Sequence, residues 1–465
     1  MINFIHSILG FKKLSPPQKI ALSFLLVIFT GTLLLTLPIS TNSGTFFHPL
    51  DALFIATSAT CVTGLTTFTI ADTFNIFGQV VLLLLIQIGG LGLMTLMAML
   101  LVLSKHKLSV NEKKVMKEML NKEHMLDMKR YILDILKYTL CFEFAGACLL
   151  SFQMIPQYGL AQGIFHSIFL AVSAFCNAGF DVFGSNSLQA YVHNPLICIT
   201  VMILIILGGL GFAVWFDLRD HLIPFLTRKI TFKKFKKSLS LHTRIVLIVT
   251  MILIFGAGLM FILLEWQNLN TIGTFTLPEK IMTVIFESVA LRTAGFTSIQ
   301  YSTLTPSTSL LMMVVMFIGG SPGGAAGGIK TTTMAIVVMY IVHMLKGKEQ
   351  MIICKRAIKK EIVIRAMGIF FINLFTLFVG IFLLTIVEPH GFIELCFEAV
   401  SALATVGSTL GITAQLTMLG KIIIILMMYI GRIGIATLII SLARPKSSSD
   451  ASNKVSFPNG NIIVG

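Results

Sequence analysis

Four short apolar segments, each ending at a glycine, recur along the chain at a nearly constant interval. The glycines are Gly64, Gly179, Gly295 and Gly407, and the intervals between them are 115, 116 and 112 residues. Two small residues, or Val-Ala in the third copy, stand six and five positions before each glycine. A repeat kept in step over four copies indicates one structural unit used four times.

A second glycine motif follows each segment at a similar distance. It begins 25, 29, 24 and 24 residues after the segment's glycine. The four motifs are Gly89-Gly90-Leu91-Gly92, Gly208-Gly209-Leu210-Gly211, Gly319-Gly320-Ser321-Pro322-Gly323 and Gly431-Arg432-Ile433-Gly434. Close packing of membrane helices explains a glycine pair by itself, at least in the first two copies.

The rest of each copy consists of long apolar stretches. Only 12% of the residues are charged and 55% are hydrophobic, whereas a soluble domain has about 25% charged residues. The long stretches cover residues 19–38, 76–104, 131–154, 195–218, 243–264, 308–345, 362–387 and 418–443. Each reaches the roughly 20 residues that a membrane-spanning helix needs. The glycine-ended segments, at 49–62, 163–176, 279–291 and 392–404, are too short to cross and are predicted to be re-entrant helices.

The net charge of +15 is concentrated between the apolar regions. Of the 35 Lys and Arg residues, 29 lie in five short segments between or beside these regions. The positive-inside rule places all five segments, and both termini, in the cytoplasm. The charge therefore indicates topology rather than nucleic-acid binding, although residues 228–237 could also dock an anionic cytosolic partner.

These patterns predict an all-α polytopic membrane protein with eight transmembrane helices and four re-entrant pore helices. Four helix–pore helix–helix hairpins would surround one central pore with pseudo-fourfold symmetry. The predicted units are a cytoplasmic N-terminus at 1–18, repeat 1 at 19–104, repeat 2 with its linker at 105–218, repeat 3 with its linker at 219–345, repeat 4 with its linker at 346–443, and a cytoplasmic tail at 444–465.

The repeated glycine has a specific chemical use inside a bilayer. Non-helical backbone is tolerated there only where it is buried in protein or lines a water-filled cavity. Four helix ends around one axis would present carbonyl oxygens that replace the hydration shell of a cation, and glycine permits the positive φ that turns them inward. The predicted filter segments are Val62-Thr63-Gly64-Leu65, Asn177-Ala178-Gly179-Phe180, Thr293-Ala294-Gly295-Phe296 and Thr405-Val406-Gly407-Ser408.

Acidic residues accompany the re-entrant helices. Asp51, Glu279 and Glu394 stand near helix starts, where they would compensate the helix dipole or attract cations to an outer vestibule. Glu287 and Glu398 lie inside the helices, where a charge is costly and usually paired. Arg292 is a candidate partner for one of them, and structural roles are expected for all three.

Enzymatic and metal chemistry find no support in the sequence. The seven cysteines occur singly, and no His cluster has zinc spacing. His166 and His193 are isolated. No disulfide, transition-metal site, covalently bound cofactor or catalytic residue is therefore expected.

The third copy contains the strongest helix-breaking sequence, the glycine-rich loop 319–328. Its residues are Gly319, Gly320, Ser321, Pro322, Gly323, Gly324, Ala325, Ala326, Gly327 and Gly328. Six glycines and one proline in ten residues cannot hold a helix, so a gate below the filter is expected, with a passive kink as the alternative. Ile329 stands where a phosphate-binding loop needs glycine, which excludes that motif.

Two basic residues accompany this loop. Arg432 occupies the position that Gly90, Gly209 and Gly320 have in the other copies. A lone arginine at membrane depth is a functional candidate, and its guanidinium can bond loop carbonyls and hold the gate closed. Lys330 is interpreted mainly as a lysine that extends towards the membrane interface.

The filter motifs Thr63-Gly64-Leu65, Asn177-Ala178-Gly179-Phe180, Arg292-Thr293-Ala294-Gly295-Phe296 and Thr405-Val406-Gly407, with the loop after the third, resemble the Trk/Ktr/HKT superfamily of potassium transporters. The membrane subunits of Ktr systems are the most similar branch. Gly64 matches potassium-selective members, whereas serine there would point to the sodium-preferring plant branch.

The resemblance implies potassium uptake across a bacterial cell (inner) membrane, by a symporter or a channel. It also implies a homodimer on a cytosolic ring of KtrA or KtrC type that binds the nucleotides, Na⁺ as activator, and K⁺ as the ion at the filter. A less selective or sodium-preferring cation channel is the alternative function.

Overall fold

The computed structural model describes residues 16–92, 128–184, 187–227, 231–348, 350–354 and 356–434. The helices are α1 (Pro16–Thr36), α2 (Pro49–Cys61), α3 (Ile70–Thr73), α4 (Ile76–Leu91), α5 (Met128–Tyr158), α6 (Leu160–Phe175), α7 (Pro195–Leu210), α8 (Phe212–Leu226), α9 (Phe232–Ser238), α10 (Leu241–Glu265), α11 (Leu277–Ala290), α12 (Pro306–Phe317), α13 (Thr331–Leu345), α14 (Lys360–Val387), α15 (Phe392–Ala404) and α16 (Met418–Ile433). Short 3-10 turns occur at Pro38–Ser40, Ser187–Tyr191, Tyr301–Thr303 and Thr413–Gln415.

Among the described residues, four helices are long and apolar enough to cross a membrane by themselves. They are Gln18–Thr36, Ile132–Tyr158, Leu241–Glu265 and Lys360–Val387. Each is the first long stretch of its copy, and most of its apolar side chains face outwards, as expected for contact with lipid. Hydrocarbon offers no partner to the backbone, so such stretches satisfy their amides within a helix. The predicted helical membrane protein is confirmed at this level.

The second long stretches differ from the predicted continuous helices. The stretch predicted at 195–218 bends by 100° between α7 and α8 and counts as a fifth span only if the two parts are joined. The stretch at 308–345 is interrupted between α12 and α13. The stretches at 76–104 and 418–443 are described only to residues 92 and 434, so their ends lie outside the described residues.

Each second helix begins at a side-chain cap. The first free amides of a helix have no intrahelical partner, and Asn or Thr oxygens can accept from them. Asn75 accepts from the amide of Gly78 at 3.1 Å, and Asn194 accepts from that of Ile197 at 3.3 Å. Thr305 and Thr417 cap α12 and α16 in the same way. The four copies therefore share a helix start as well as a glycine.

The copies are packed in a cyclic order. Within each copy the first helix packs on the short helix, as α1 does on α2. The second helix then packs on the short helix of the next copy: α4 on α6, α7 on α11, and α12 on α15. Finally α16 packs on α2, which closes the circle. This arrangement directs the C-terminal ends of the four short helices towards one another.

A small hairpin in the linker between the third and fourth copies was not predicted. Its strands, β1 (Ile352–Ile353) and β2 (Arg356–Ala357), pair antiparallel. Met351 and Ile353 are buried against Ile245 of α10 and Val363 of α14. These apolar contacts hold the linker against the adjacent helix ends.

Candidate functional site

The four filter segments share one unusual backbone conformation. The first residue of each segment has left-handed φ, with 58° at Val62, 58° at Asn177, 67° at Thr293 and 51° at Thr405. Each glycine also has positive φ, between 70° and 100°. Left-handed φ is costly for β-branched residues and persists only where the surroundings impose it. The repeated conformation ends each short helix and turns the chain back.

The four glycines form a closed ring. Each glycine lies against the carbonyl group of the residue that precedes the glycine of the next copy. A Cβ atom added to Gly64 would lie 2.6 Å from the carbonyl oxygen of Ala178, and one on Gly179 would lie 2.6 Å from that of Ala294. A Cβ on Gly295 or Gly407 would likewise collide with the carbonyl oxygen of Val406 or of Thr63. Any side chain would push these four carbonyls apart. Such a ring can replace the hydration shell of a cation.

Serine hydroxyls hold three of the four filter backbones. Ser58 accepts from the amide of Gly64 and Ser401 from that of Gly407, both at 3.1 Å. Ser173 accepts from the amide of Phe180 at 3.0 Å. These serines are the small residues six positions before the glycine. Their spacing was visible in the sequence, but their role depends on the turn that brings hydroxyl and amide together.

Val289 replaces this serine in the third copy, where a carboxylate braces the segment after the filter. Glu287 accepts from the amide and hydroxyl of Ser298, at 2.9 and 2.7 Å, and from the hydroxyl of Tyr301. Glu398 accepts similarly from Thr409 and Thr413 in the fourth copy. Both acids hold the chain on its return from the filter.

The suggested pairing of Arg292 with one of these acids is wrong. An amide and two hydroxyls occupy the Glu287 carboxylate and two threonine hydroxyls occupy that of Glu398, so the described partners of both acids do not include Arg292. Arg292 is 2% exposed, and no described residue accepts a hydrogen bond from its Nε. Its guanidinium lies close to Gly209, below the filter. Arg292 lies five residues after Glu287 and beyond the end of α11, so the two side chains do not share the face on which residues three or four apart meet.

The acids at the starts of the short helices are bound to protein groups. Asp51 accepts from the Lys421 ammonium at 2.7 Å. Glu279 accepts from the amide of Thr276 at 2.9 Å, and Glu394 from that of Gly391 at 3.0 Å, each at its own helix start. This geometry favours the structural interpretation over the outer vestibule.

The glycine motif of the second helix packs it against the end of a short helix. A side chain on Gly89 would collide with the carbonyl oxygen of Thr60, and one on Gly208 or Gly431 with that of Phe175 or of Leu403. Each of these carbonyls stands four residues before the filter glycine. Gly319 instead faces Gly327, because the third helix is broken there.

The glycine-rich loop is non-helical and lies against the fourth filter segment. Its ends are joined by a bridge between Ile318 and Ile329, and the Gly319 amide donates to the Ile329 carbonyl at 2.9 Å. A side chain on Gly327 would collide with the Thr405 hydroxyl. The loop therefore packs against the end of the fourth short helix, next to the ring.

Both predicted basic residues contact this loop. Arg432 donates to the carbonyl oxygens of Ala325 and of Gly89, so its guanidinium joins the loop to the first copy. Lys330 donates to the Ala326 carbonyl at 2.6 Å. Lys330 therefore binds the loop backbone, in contrast to the interfacial role expected for it.

The second copy also binds the loop, and sequence reasoning missed these contacts. The amides of Ser321 and Ala325 donate to the carbonyls of Gly209 and Gly208, at 3.0 and 3.1 Å. In return, the Phe212 amide donates to the Gly323 carbonyl at 3.2 Å. These are backbone contacts at a helix bend, and side-chain identity carries little information about them.

Four short helices that end at one ring of carbonyls, among helices apolar enough to span a membrane, define a multi-pass membrane protein built to pass ions. The chain belongs to the TrkH family, described as cation transport protein, which matches residues 12–454. The resemblance seen in the filter motifs is thereby confirmed.

Individual relatives match over almost their whole length. The chain is 41% identical to the potassium/sodium uptake protein NtpJ of Enterococcus hirae, covering 98% of both chains. It is 37% identical to the Ktr system potassium uptake protein B of Bacillus subtilis, covering 97% of both. The protein of the same name from Vibrio alginolyticus is also 37% identical, over 97% of this chain and 95% of the relative.

The fold is shared with a solved structure. The potassium transporter TrkH from Vibrio parahaemolyticus superposes with a TM-score of 0.69, over 90% of this chain and 84% of that one. At 18% sequence identity this likeness shows the fold alone.

Proposed function

We propose that this chain takes up K⁺ across the cell membrane as the ion-translocating subunit of a Ktr-type system. The closed ring of glycines and carbonyls carries the proposal, because it offers oxygen ligands from four chain segments to one ion. The names of the relatives, potassium uptake protein and potassium/sodium uptake protein, agree with it. Selectivity would then belong to the backbone of the four filter segments.

The same ring supports the wider architecture. We place each short helix as a re-entrant pore helix between two spans, which makes eight spans in four repeats around one axis. The cyclic packing of second helices on neighbouring short helices favours this arrangement. The eight basic residues between Lys105 and Arg130, like those of the other linkers, would face the cytoplasm.

The direct test is potassium uptake in a bacterium that lacks its own uptake systems. Cells producing the chain should accumulate K⁺, and the purified chain in liposomes with K⁺ and Na⁺ on opposite sides should show a reversal potential near the K⁺ equilibrium value. A reversal potential near the Na⁺ value would favour the second candidate, a sodium-preferring channel. The name of the Enterococcus hirae relative includes sodium and so supports that candidate, whereas Gly64 argues against it.

Gating is proposed to depend on the glycine-rich loop and Arg432. We place the loop across the path below the ring, because the Arg432 guanidinium binds a loop carbonyl and a carbonyl of the first copy. A fixed positive charge there also repels a permeating cation. Release of the loop would open the path.

Replacing Arg432 with alanine tests this gate. Hydrogen bonds to a charged group contribute about 1.5 kcal/mol or more each, and about 1.4 kcal/mol corresponds to a factor of ten, so losing two should raise K⁺ flux roughly a hundredfold. Arg365→Ala removes an exposed arginine at the start of α14 and is the matched control. Unchanged flux in Arg432→Ala protein, at wild-type expression and with normal flux in the control, would contradict the gate.

Partners follow from the family rather than from the geometry. We propose a homodimer that works with a cytosolic nucleotide-binding ring of KtrA or KtrC type, and activation by Na⁺. Three relatives are named as parts of Ktr systems, which supports a multi-component assembly. The basic segment around α9 (Phe232–Ser238) is a candidate contact for an acidic face of that ring.

A further inference from the structure

Backbone hydrogen bonds join the glycine-rich loop to the bend between α7 and α8. We propose that this helix pair is a switch: the bent form holds the loop closed, the straight form releases it, and Trp215 is the positioning residue that keeps it bent. The inference rests on the proposed gate, because it assumes that the loop blocks the ion path.

The bend exchanges helix hydrogen bonds for loop hydrogen bonds. In a continuous α-helix the Gly208 carbonyl would accept from the Phe212 amide, four residues on. Here the Gly208 carbonyl accepts from Ala325 and the Phe212 amide donates to Gly323, both in the loop. The Gly209 carbonyl likewise accepts from Ser321 instead of from the fourth residue after it. The docked loop and the straight helix therefore compete for the same backbone groups.

Trp215 stabilises the bent form across the break. The Leu207 carbonyl would bond the Gly211 amide in a straight helix, and in this structure it accepts from the indole Nε1 of Trp215 at 2.9 Å. The indole also packs against Phe142 of α5, with ring centroids 5.2 Å apart. A Leu207 carbonyl without a hydrogen-bond partner in this apolar surrounding would cost free energy. The indole removes that cost and so stabilises the bent form.

Gly211 makes the bend possible. Its φ of 85° is a conformation that other residues adopt at a cost, and a side chain there would lie 2.8 Å from the Pro322 carbonyl of the loop. A larger residue at this position favours the straight helix and also crowds the docked loop. The switch thus has one residue that permits the bend and one that secures it.

The first test is Trp215→Phe, with Trp266→Phe as control. Phenylalanine keeps an aromatic ring near Phe142 but has no donor for Leu207. Trp266 is the chain's other tryptophan. Its ring centroid lies 4.4 Å from the Lys280 ammonium. K⁺ flux into liposomes containing the purified chain should rise severalfold in Trp215→Phe protein and stay at the wild-type level in the control. The K⁺/Na⁺ selectivity ratio should not change.

A second variant keeps the test valid if Trp215→Phe protein folds poorly. Gly211→Ala should also raise flux, and Gly159→Ala is its control because Gly159 has a similar φ of 81° with no atom within 4 Å of an added Cβ. Combining Trp215→Phe with Arg432→Ala should give less than the product of the single effects, since both release one loop.

The outcomes separate this inference from the proposed gate. If Arg432→Ala raises flux while Trp215→Phe and Gly211→Ala match their controls, the switch is wrong and the gate stands. If none of the three raises flux, the gate itself is wrong. Fully multiplicative effects of Trp215→Phe and Arg432→Ala would also overturn the switch, because they would act on separate events.

Discussion

Gly179 shows what a single residue contributes to the ring. Its φ is 70°, and an added Cβ would lie 2.6 Å from the Ala294 carbonyl oxygen and 3.0 Å from the Cα of Gly295. Two separate requirements, a left-handed backbone and a close approach between copies, therefore exclude a side chain here. The serine bonds to the filter amides make the same backbone rigid.

Gly179→Ala should lower the preference for K⁺ over Na⁺ strongly, because the methyl group displaces a carbonyl of the ring. Gly44→Ala is a close control: Gly44 has a φ of 67°, and nothing lies within 4 Å of its added Cβ. That control has only the backbone cost of about 1 kcal/mol. Reversal potentials under mixed ions measure both. Equal selectivity in the two variants would show that the close approach does not matter.

At the scale of elements, the helices were largely predictable and their interruptions only partly so. The predicted short segments at 49–62 and 392–404 became α2 and α15 within about a residue at each end. Composition also predicted the break in the third copy, since six glycines and a proline cannot propagate a helix. Local apolar runs and helix breakers act over a few residues, so the sequence displays them directly.

The bend after Leu210 was not predictable in this way. The first and second copies both read Gly-Gly-Leu-Gly, and Gly92 and Gly211 both have positive φ, but only in the second copy does the structure describe the chain beyond the motif, where it bends by 100°. What stabilises the bend is a loop from the third copy and the indole of Trp215. Contacts between residues a hundred positions apart leave no periodic trace in either segment.

At the scale of the whole molecule, one ion pair ties the end of the chain to its beginning. Lys421 of α16 donates to Asp51 of α2 at 2.7 Å, and their side chains are only 14% and 8% exposed. The two residues are 370 positions apart. This pair joins the two helices at the point where the cyclic packing closes.

Lys421→Met should lower the free energy of unfolding by about 3 kcal/mol, because it leaves the buried carboxylate of Asp51 without its ammonium partner and, among the described residues, with only the exposed His48 ring beside it. The double variant Asp51→Asn/Lys421→Met removes both charges and should recover much of that loss. Lys348→Met, at an exposed lysine, is the control and should unfold like the wild type. Thermal unfolding of the purified protein in detergent gives the comparison; a single variant as stable as the control would show that the pair does not secure the closure.

The amino-acid sequence by itself determined the fourfold repeat, the membrane class, the apolar helices, the four repeated glycines and the break at 319–328. These features depend on composition and spacing, which local physics converts directly into helices and turns. Only the tertiary structure decided that the glycines meet in one ring, that Glu287 binds the segment after the filter rather than pairing with Arg292, and that the second copy holds the loop. Those outcomes depend on which backbone carbonyls and amides face each other across copies. Because these groups are the same in every residue, the sequence does not show which of them will meet.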